Sequence, residues 1–433
     1  MKISKLHIDS FRHLENLDFD FTYPEDFHIV EKRGKPLDKI CFIGQSATGK
    51  TGLLELIYEC NVFSLNVEIV EGISLTNRIK FQEIKGEILF HFNGKDIYKQ
   101  NSKEIFYKNK LYKDLGIGGS VTSLIPIQDK KNIYYFKSNL ISEKNIEIFT
   151  INPIDLIEKY KNEIIDIQYF FSDNGKYATI FDNDVNNNIW LFLLNEILNY
   201  RKNFTQKMSE LIHKGLLADT KKLNVEFQKW QKENPNKLED FAENFNPILE
   251  KLHLEVDVIS TEHSIPIRNK INEEIIPIQN TSTGTKGLLL SFLPIYKLDT
   301  KDSIILIDEP ERSLYPDMQM DLMENYQKLA PDAQFIVATH SPFISASFEP
   351  EERYILYFNE EGKVAVRRGS SPIGDDPNDM LYNDFGIDYI NKHGKKVHTE
   401  YLDKKRQLLF EENDKVKNKL QNEIEEIGDK YNF

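Results

Sequence analysis

Cysteine is nearly absent from this chain: Cys41 and Cys60 are the only two among 433 residues. They give no metal-ligand spacing and no disulfide framework, which excludes a stapled secreted domain and fits a reducing, cytoplasmic setting. No run of about 18 apolar residues occurs, so no membrane-spanning helix is expected. The opening segment lacks the apolar core of a secretory signal. Positive charge is in deficit, with 55 Lys and Arg against 69 Asp and Glu, a net −14. That disfavours tight, non-specific duplex binding by the whole surface, though not by a local basic groove. No internal repeat is found.

What is present is a phosphate-binding loop. Gly44-Gln45-Ser46-Ala47-Thr48-Gly49-Lys50-Thr51 fits G-x-x-x-x-G-K-[ST]. The preceding Lys39-Ile40-Cys41-Phe42-Ile43 reads as a buried strand, and Thr51 to Tyr58 reads as a helix with an apolar stripe. The glycines let the backbone curl so that its N–H groups point at phosphate oxygens, and the helix N-terminus adds positive potential. Lys50 is expected on the β- and γ-phosphates, and the Thr51 hydroxyl on Mg²⁺. The ligands expected are therefore ATP and Mg²⁺.

Far downstream, Ser303-Ile304-Ile305-Leu306-Ile307-Asp308-Glu309 is an aliphatic run ending in two acids. A continuous apolar run suits a strand buried on both faces of a parallel sheet. Asp308 at its end would hold Mg²⁺, and Glu309 would act as general base on the attacking water. A second run, Phe335-Ile336-Val337-Ala338-Thr339, leads to His340, placed to sense the γ-phosphate and orient that water. The segment Asn280-Thr281-Ser282-Thr283-Gly284-Thr285-Lys286 opens a helical pattern. It reads either as a second phosphate-binding surface or as a simple helix cap.

Together with Lys2-Ile3-Ser4-Lys5-Leu6-His7-Ile8-Asp9-Ser10-Phe11-Arg12, and with Asp308-Glu309-Pro310-Glu311 and Thr339-His340-Ser341-Pro342 read as whole motifs, these segments resemble the ABC-type ATPase superfamily, in its soluble RecF/SMC/OLD branch. The resemblance covers residues 1–60 and 275–345. It implies an α/β fold: a P-loop ABC-type head with a mixed central sheet, an antiparallel β-subdomain and a helical insert. It also implies a head-to-tail dimer in which Ser282 and Gly284 of one copy meet the γ-phosphate held by the other. Arg12 would lie near the phosphates, and Arg312-Ser313-Leu314-Tyr315-Pro316 would cross the interface. The signature departs from the usual form at Asn280-Thr281 and Thr285. For the glutamine loop, Gln128 and its rival Gln82 both stand open.

The layout expected is an N-terminal half-head over 1–150, a helical insert over 151–255, the second half-head over 256–370 and a charged helical tail over 371–433. Residues 66–150 look β-rich, with Asn93-Gly94 as a hairpin signal. Two apolar patterns, Trp190 to Ile212 and Leu238 to Leu252, recur at helical spacing on either side of a break at Pro235. The insert is a compact lobe or a short arm.

Two basic stretches, Lys95 to Lys113 with interleaved aromatics and Lys392 to Arg406, read either as nucleic-acid or partner contacts or as solvated faces. OLD-type nucleases carry a TOPRIM domain after the ATPase. Here Gly374-Asp375-Asp376-Pro377-Asn378-Asp379 supplies acids without a second cluster, and reads as a loop. No nuclease site is expected on this chain. The layout resembles the ATPase subunits of Septu, PARIS and retron anti-phage systems. That resemblance implies a separate effector, a nuclease or toxin, with DNA or RNA as a further partner and no membrane. The alternatives are a RecF-like DNA-repair ATPase and an ATP-dependent scaffold with little turnover.

Overall fold

A computed structural model describes residues 2–65, 68–69, 84–92, 96–101, 104–107, 110–113, 132–162, 177–260, 262–374, 377–387, 392–411 and 414–431. The chain divides into two compact units, Met1–Gly374 and Asp375–Phe433. Strands are numbered along the chain.

In the first unit, an antiparallel sheet runs β2 (Leu14–Asp20), β1 (Ile3–Phe11), β5 (Ile84–Phe92), β6 (Asp96–Asn101), β7 (Glu104–Tyr107) and β8 (Lys110–Lys113). Side chains alternate across a strand, and Leu17 and Phe19 of β2 accordingly point to the core; Leu14 is buried as well, across a left-handed Asn16 (φ 52°) that breaks the alternation. The hairpin signal Asn93-Gly94 and both glutamine candidates, Gln128 and Gln82, lie outside the described residues. The strands flanking that signal, β5 and β6, pair antiparallel, with Phe92 opposite Asp96. The stretch expected to be β-rich also contains a helix, Glu143–Thr150, opened by Ser142, whose hydroxyl accepts from the Asn145 N–H.

The second sheet has eight strands in the order β17 (Val364–Arg368), β16 (Arg353–Phe358), β3 (Lys39–Gly44), β15 (Gln334–Ala338), β14 (Ile304–Asp308), β9 (Ile133–Phe136), β10 (Tyr177–Phe181) and β4 (Glu68–Ile69). All neighbours are parallel except β16 and β17. Every residue of β14 and β15 is buried, as an aliphatic run enclosed on both faces must be. Strand β15 lies between β3 and β14, and Ala338 pairs with both Phe42 and Asp308. Three strand ends thus emerge side by side at the carboxyl edge, where parallel sheets bind ligands. The helix Lys50–Leu65 covers this sheet with Leu53, Leu54, Leu56 and Ile57. Rings of Phe19, Phe21, Phe42 and Tyr354 join the two sheets. The buried Gln334 amide accepts from the Ile3 N–H at 2.8 Å and donates to the Ile3 and Leu37 carbonyls at 2.9 Å, pinning the N-terminus to the core.

Between the halves of this sheet come helices Asn187–His213, Thr220–Glu233 and Lys237–Leu249, then a small antiparallel sheet of β11 (Leu254–Val256), β12 (Ile267–Asn269) and β13 (Ile275–Ile276). The first helix is buried over Ile189 to Leu198, but Ile212, assigned to the same apolar face by its spacing, is 47% exposed. Its distal half meets Thr220–Glu233 through Tyr200, Phe204, Phe227 and Trp230, and that helix buries no residue fully. The break at Pro235 is as expected: Asn236 caps the next helix by accepting from the Leu238 N–H.

The second unit contains Pro377–Asn383, Lys392–Phe410 and Asp414–Tyr431. The sequence suggests a loop through Asp379 within a charged helical tail. Instead a helix begins at Pro377, a favoured first helical residue, and the charged segment forms two helices bridged by Lys404 and Glu423 at 2.6 Å.

Candidate functional site

The loop 44–51 joins β3 to the helix that opens at Lys50. Gly44, Ala47 and Gly49 all have positive φ (148°, 65° and 91°), the inward curl that gathers N–H groups into an anion cradle. The Thr48 hydroxyl donates to the Gln45 carbonyl at 2.8 Å and fixes the crown of the turn. Lys50 is 6% exposed and donates to the Gly44 and Gln45 carbonyls, each at 2.9 Å. Burial lowers its pKa to about 8, against the opposing pull of Asp308, Glu309 and Glu311.

The Thr51 hydroxyl lies 3.1 Å from both carboxylate oxygens of Asp308, a residue 257 positions later. Burial raises the Asp308 pKa to about 6. The negative charges of Glu309, Glu311 and Glu55 add to that, and the Thr51 hydrogen bond opposes it. Among the described residues, no group of three His, Cys, Asp or Glu side chains could hold a metal unaided. A hydroxyl beside a buried, cation-deficient carboxylate fits magnesium, which takes few protein oxygens and completes its shell with water and phosphate.

Glu309 follows at the end of β14 in a left-handed conformation (φ 51°), its N–H bonded to the Ala338 carbonyl at 2.8 Å. His340 leaves the end of β15, between the phosphate loop and the acids. Burial and the Lys50 cation lower its pKa, which leaves the ring neutral at pH 7. Arg12 stands in the β1–β2 turn, and its Nη1 donates to Glu55, one turn into the phosphate-loop helix, at 2.7 Å. Lys50, Thr51, Asp308, Glu309 and His340 thus share one edge of one sheet.

Of the signature residues, Gly284 lines a small cavity together with Asp308, Glu309 and Leu314. Ser282 caps the helix Thr283–Lys297, its Oγ accepting from the Thr285 N–H at 3.1 Å. Gly284 is buried against the loop after Asp308.

Three residues here were not foreseen as part of the site. The His13 ring packs under Gly49, Glu55 holds Arg12, and Glu311 accepts from the His340 N–H at 2.8 Å. His13 adjoins a segment already singled out, and Glu311 belongs to one, without a role in the site. Glu55 carries no signal beyond its position one helical turn after Thr51.

The AAA ATPase domain family matches residues 1–345, and the chain belongs to that family. It is 22% identical over 380 residues to the Retron Vc95 probable ATPase of Vibrio cholerae serotype O1 biovar El Tor, covering 78% of this chain and 73% of that one. It is likewise 22% identical over 358 residues to Endonuclease GajA of Bacillus cereus (strain VD045), covering 79% of this chain but 56% of that protein. Among solved structures, an Smc head bound to the C-winged helix domain of ScpA aligns with a TM-score of 0.42 at 14% identity, over 86% of this chain and 98% of that chain. The SMC head domain from Thermotoga maritima gives 0.37 at 12% identity, over 86% and 100%.

Proposed function

We propose that this member of the AAA ATPase domain family hydrolyses ATP, pairs head to tail with a second copy around it, and thereby governs a separate effector, a nuclease or toxin, in cytoplasmic anti-phage defence. The observation carrying the hydrolytic part is the 3.1 Å approach of Thr51 to Asp308 beside Lys50 and Glu309. The retron ATPase relative supports the defence setting.

In this reading the curled N–H groups of 44–51 and Lys50 hold the β- and γ-phosphates, while Thr51 and Asp308 hold magnesium. Bound there, magnesium would neutralise charge on the phosphates. Glu309 takes the proton from the attacking water. His340, neutral at pH 7, accepts a hydrogen bond from that water or donates one to the γ-phosphate. Arg12, held by Glu55, lies at the same helix start. Ser282 and Gly284 serve the phosphate bound by the other copy. We assign the head to 1–150 and 256–370, the insert to 151–255 and the tail to 371–433, with Tyr177–Phe181 inside the insert's bounds completing the head's central sheet as β10.

The test is phosphate release from Mg-ATP by the purified chain, with ATP binding measured alongside. Glu309→Gln is expected to lower turnover by about 10²–10⁴-fold with binding kept. Turnover that survives both Glu309→Gln and Lys50→Ala would remove the assignment.

A further inference from the structure

We propose that Glu311 is a positioning residue for ATP hydrolysis: its carboxylate grips the backbone of His340, fixes that ring against the terminal phosphate, and ties it to the loop 310–315. This rests on the ATPase reading above.

The geometry begins with two adjacent strands. Asp308 ends β14 and pairs with Ala338 of β15, so the segments beyond them leave the sheet side by side. The loop after β14 reverses sharply, with Glu309 and Ser313 both left-handed (φ 51° and 64°). Two tight bonds set its shape, Arg312 N–H to the Glu309 carbonyl at 3.1 Å and Leu314 N–H to the Glu311 carbonyl at 2.9 Å. This turn sends the Glu311 side chain back to the β15 end, where Oε1 accepts from the His340 N–H at 2.8 Å. A second tie runs parallel to it: Gln319 donates to the Leu314 carbonyl at 2.8 Å and accepts from the Ser341 hydroxyl. The histidine and the loop after Asp308 therefore move as one piece, with Glu311 as the charged link.

Glu311 is poorly placed for stability. Its Oε2 is buried without a hydrogen-bond partner, although the Thr339 hydroxyl lies close enough to favour the charged form. An unsatisfied buried group costs about 1–3 kcal/mol. Burial and the Glu309 charge both push its pKa up. Costs of this kind gather at functional sites.

The test is a double-mutant cycle of Glu311→Ala and His340→Ala, read by turnover, ATP affinity and thermal midpoint, with amide hydrogen exchange on the nucleotide-free chain. Each single change is expected to lower kcat about tenfold or more, with ATP affinity little changed. In the His340→Ala background, Glu311→Ala is expected to add almost nothing, because it acts through that histidine. Glu311→Gln keeps an acceptor oxygen and should restore most of the turnover. The His340 amide should exchange faster in Glu311→Ala than in the wild type or Glu311→Gln. Multiplicative losses, a Gln variant as impaired as Ala, or unchanged exchange would each overturn the proposal. A wild type without ATP turnover overturns the ATPase reading and this inference with it, an outcome distinct from an active enzyme indifferent to Glu311.

Discussion

A Cβ atom on Gly284 would stand 2.5 Å from the Ser313 carbonyl oxygen, so the helix opening at Thr283 and the loop after Asp308 meet backbone to backbone. Glycine is needed there for packing within one chain, apart from any role toward a second copy. Gly284→Ala improves intrinsic helix propensity by about 1 kcal/mol. The clash should outweigh that gain, since overpacking costs about 1–3 kcal/mol and the obstacle is backbone. The variant should melt earlier and turn over ATP more slowly while binding ATP about as well. A raised melting temperature with full turnover would show that the contact does not constrain the loop.

The phosphate loop was legible because its chemistry occupies eight contiguous residues, Gly44 to Thr51, and the strands before Asp308 and His340 were legible because burial on both faces leaves Ile304 to Ile307 and Phe335 to Ala338 wholly apolar. What could not be read was adjacency. The bonds from Glu311 to His340 and from Arg12 to Glu55 depend on which strands and helices lie together, and β9, with its Ile-Tyr-Tyr-Phe run, carries no mark that it belongs beside β14. The helix Asn187–His213 shows the reverse case. Its apolar period continues to Ile212, but beyond Arg201 the helix buries only Leu211 fully and leaves Ile212 47% exposed.

The ionisation of Asp308 and Lys50 predicts a pH window. Magnesium requires ionised Asp308, whose pKa in the nucleotide-free chain is about 6, and phosphate binding requires charged Lys50, whose pKa is about 8. A profile of kcat/KM reports free-enzyme groups. It should therefore be bell-shaped, rising through about 6 and falling through about 8. A profile flat from pH 5 to pH 9 (roughly one unit beyond each limb) would contradict this.

Asp308→Asn should abolish magnesium-dependent turnover and yet stabilise the nucleotide-free chain. The folded pKa, about 6, lies above the ordinary 3.8, so the folded state holds the proton more tightly than the unfolded one. The stability that goes with the neutral form is present below 3.8, is lost as pH rises to about 6, and is missing at pH 7. Asparagine never ionises, keeps an acceptor for the Thr51 hydroxyl and avoids that loss, worth up to about 3 kcal/mol at one pKa unit per 1.36 kcal/mol. Melting at pH 7 without magnesium is the measurement, and an earlier transition in the variant would refute the argument. At pH 4, near the ordinary carboxylate range, the difference should shrink.

Gly44 and Gly49 should respond differently to alanine, although both belong to the same loop. Each has a positive φ, so both variants carry backbone strain of about 1–2 kcal/mol and both should lose ATP binding. The difference is in what the new methyl meets. At Gly49 it would stand 2.9 Å from Leu14 Cδ2 and 3.2 Å from His13 Nε2, ends of side chains that can turn away. At Gly44 it would stand 2.0 Å from the Leu356 carbonyl oxygen, in the strand paired with β3 at that very residue. Relief there means parting β3 from β16 within the core sheet. Gly44→Ala should therefore lower the melting temperature of the nucleotide-free chain well below that of Gly49→Ala, and equal transitions would show that β16 yields more readily than a paired strand should.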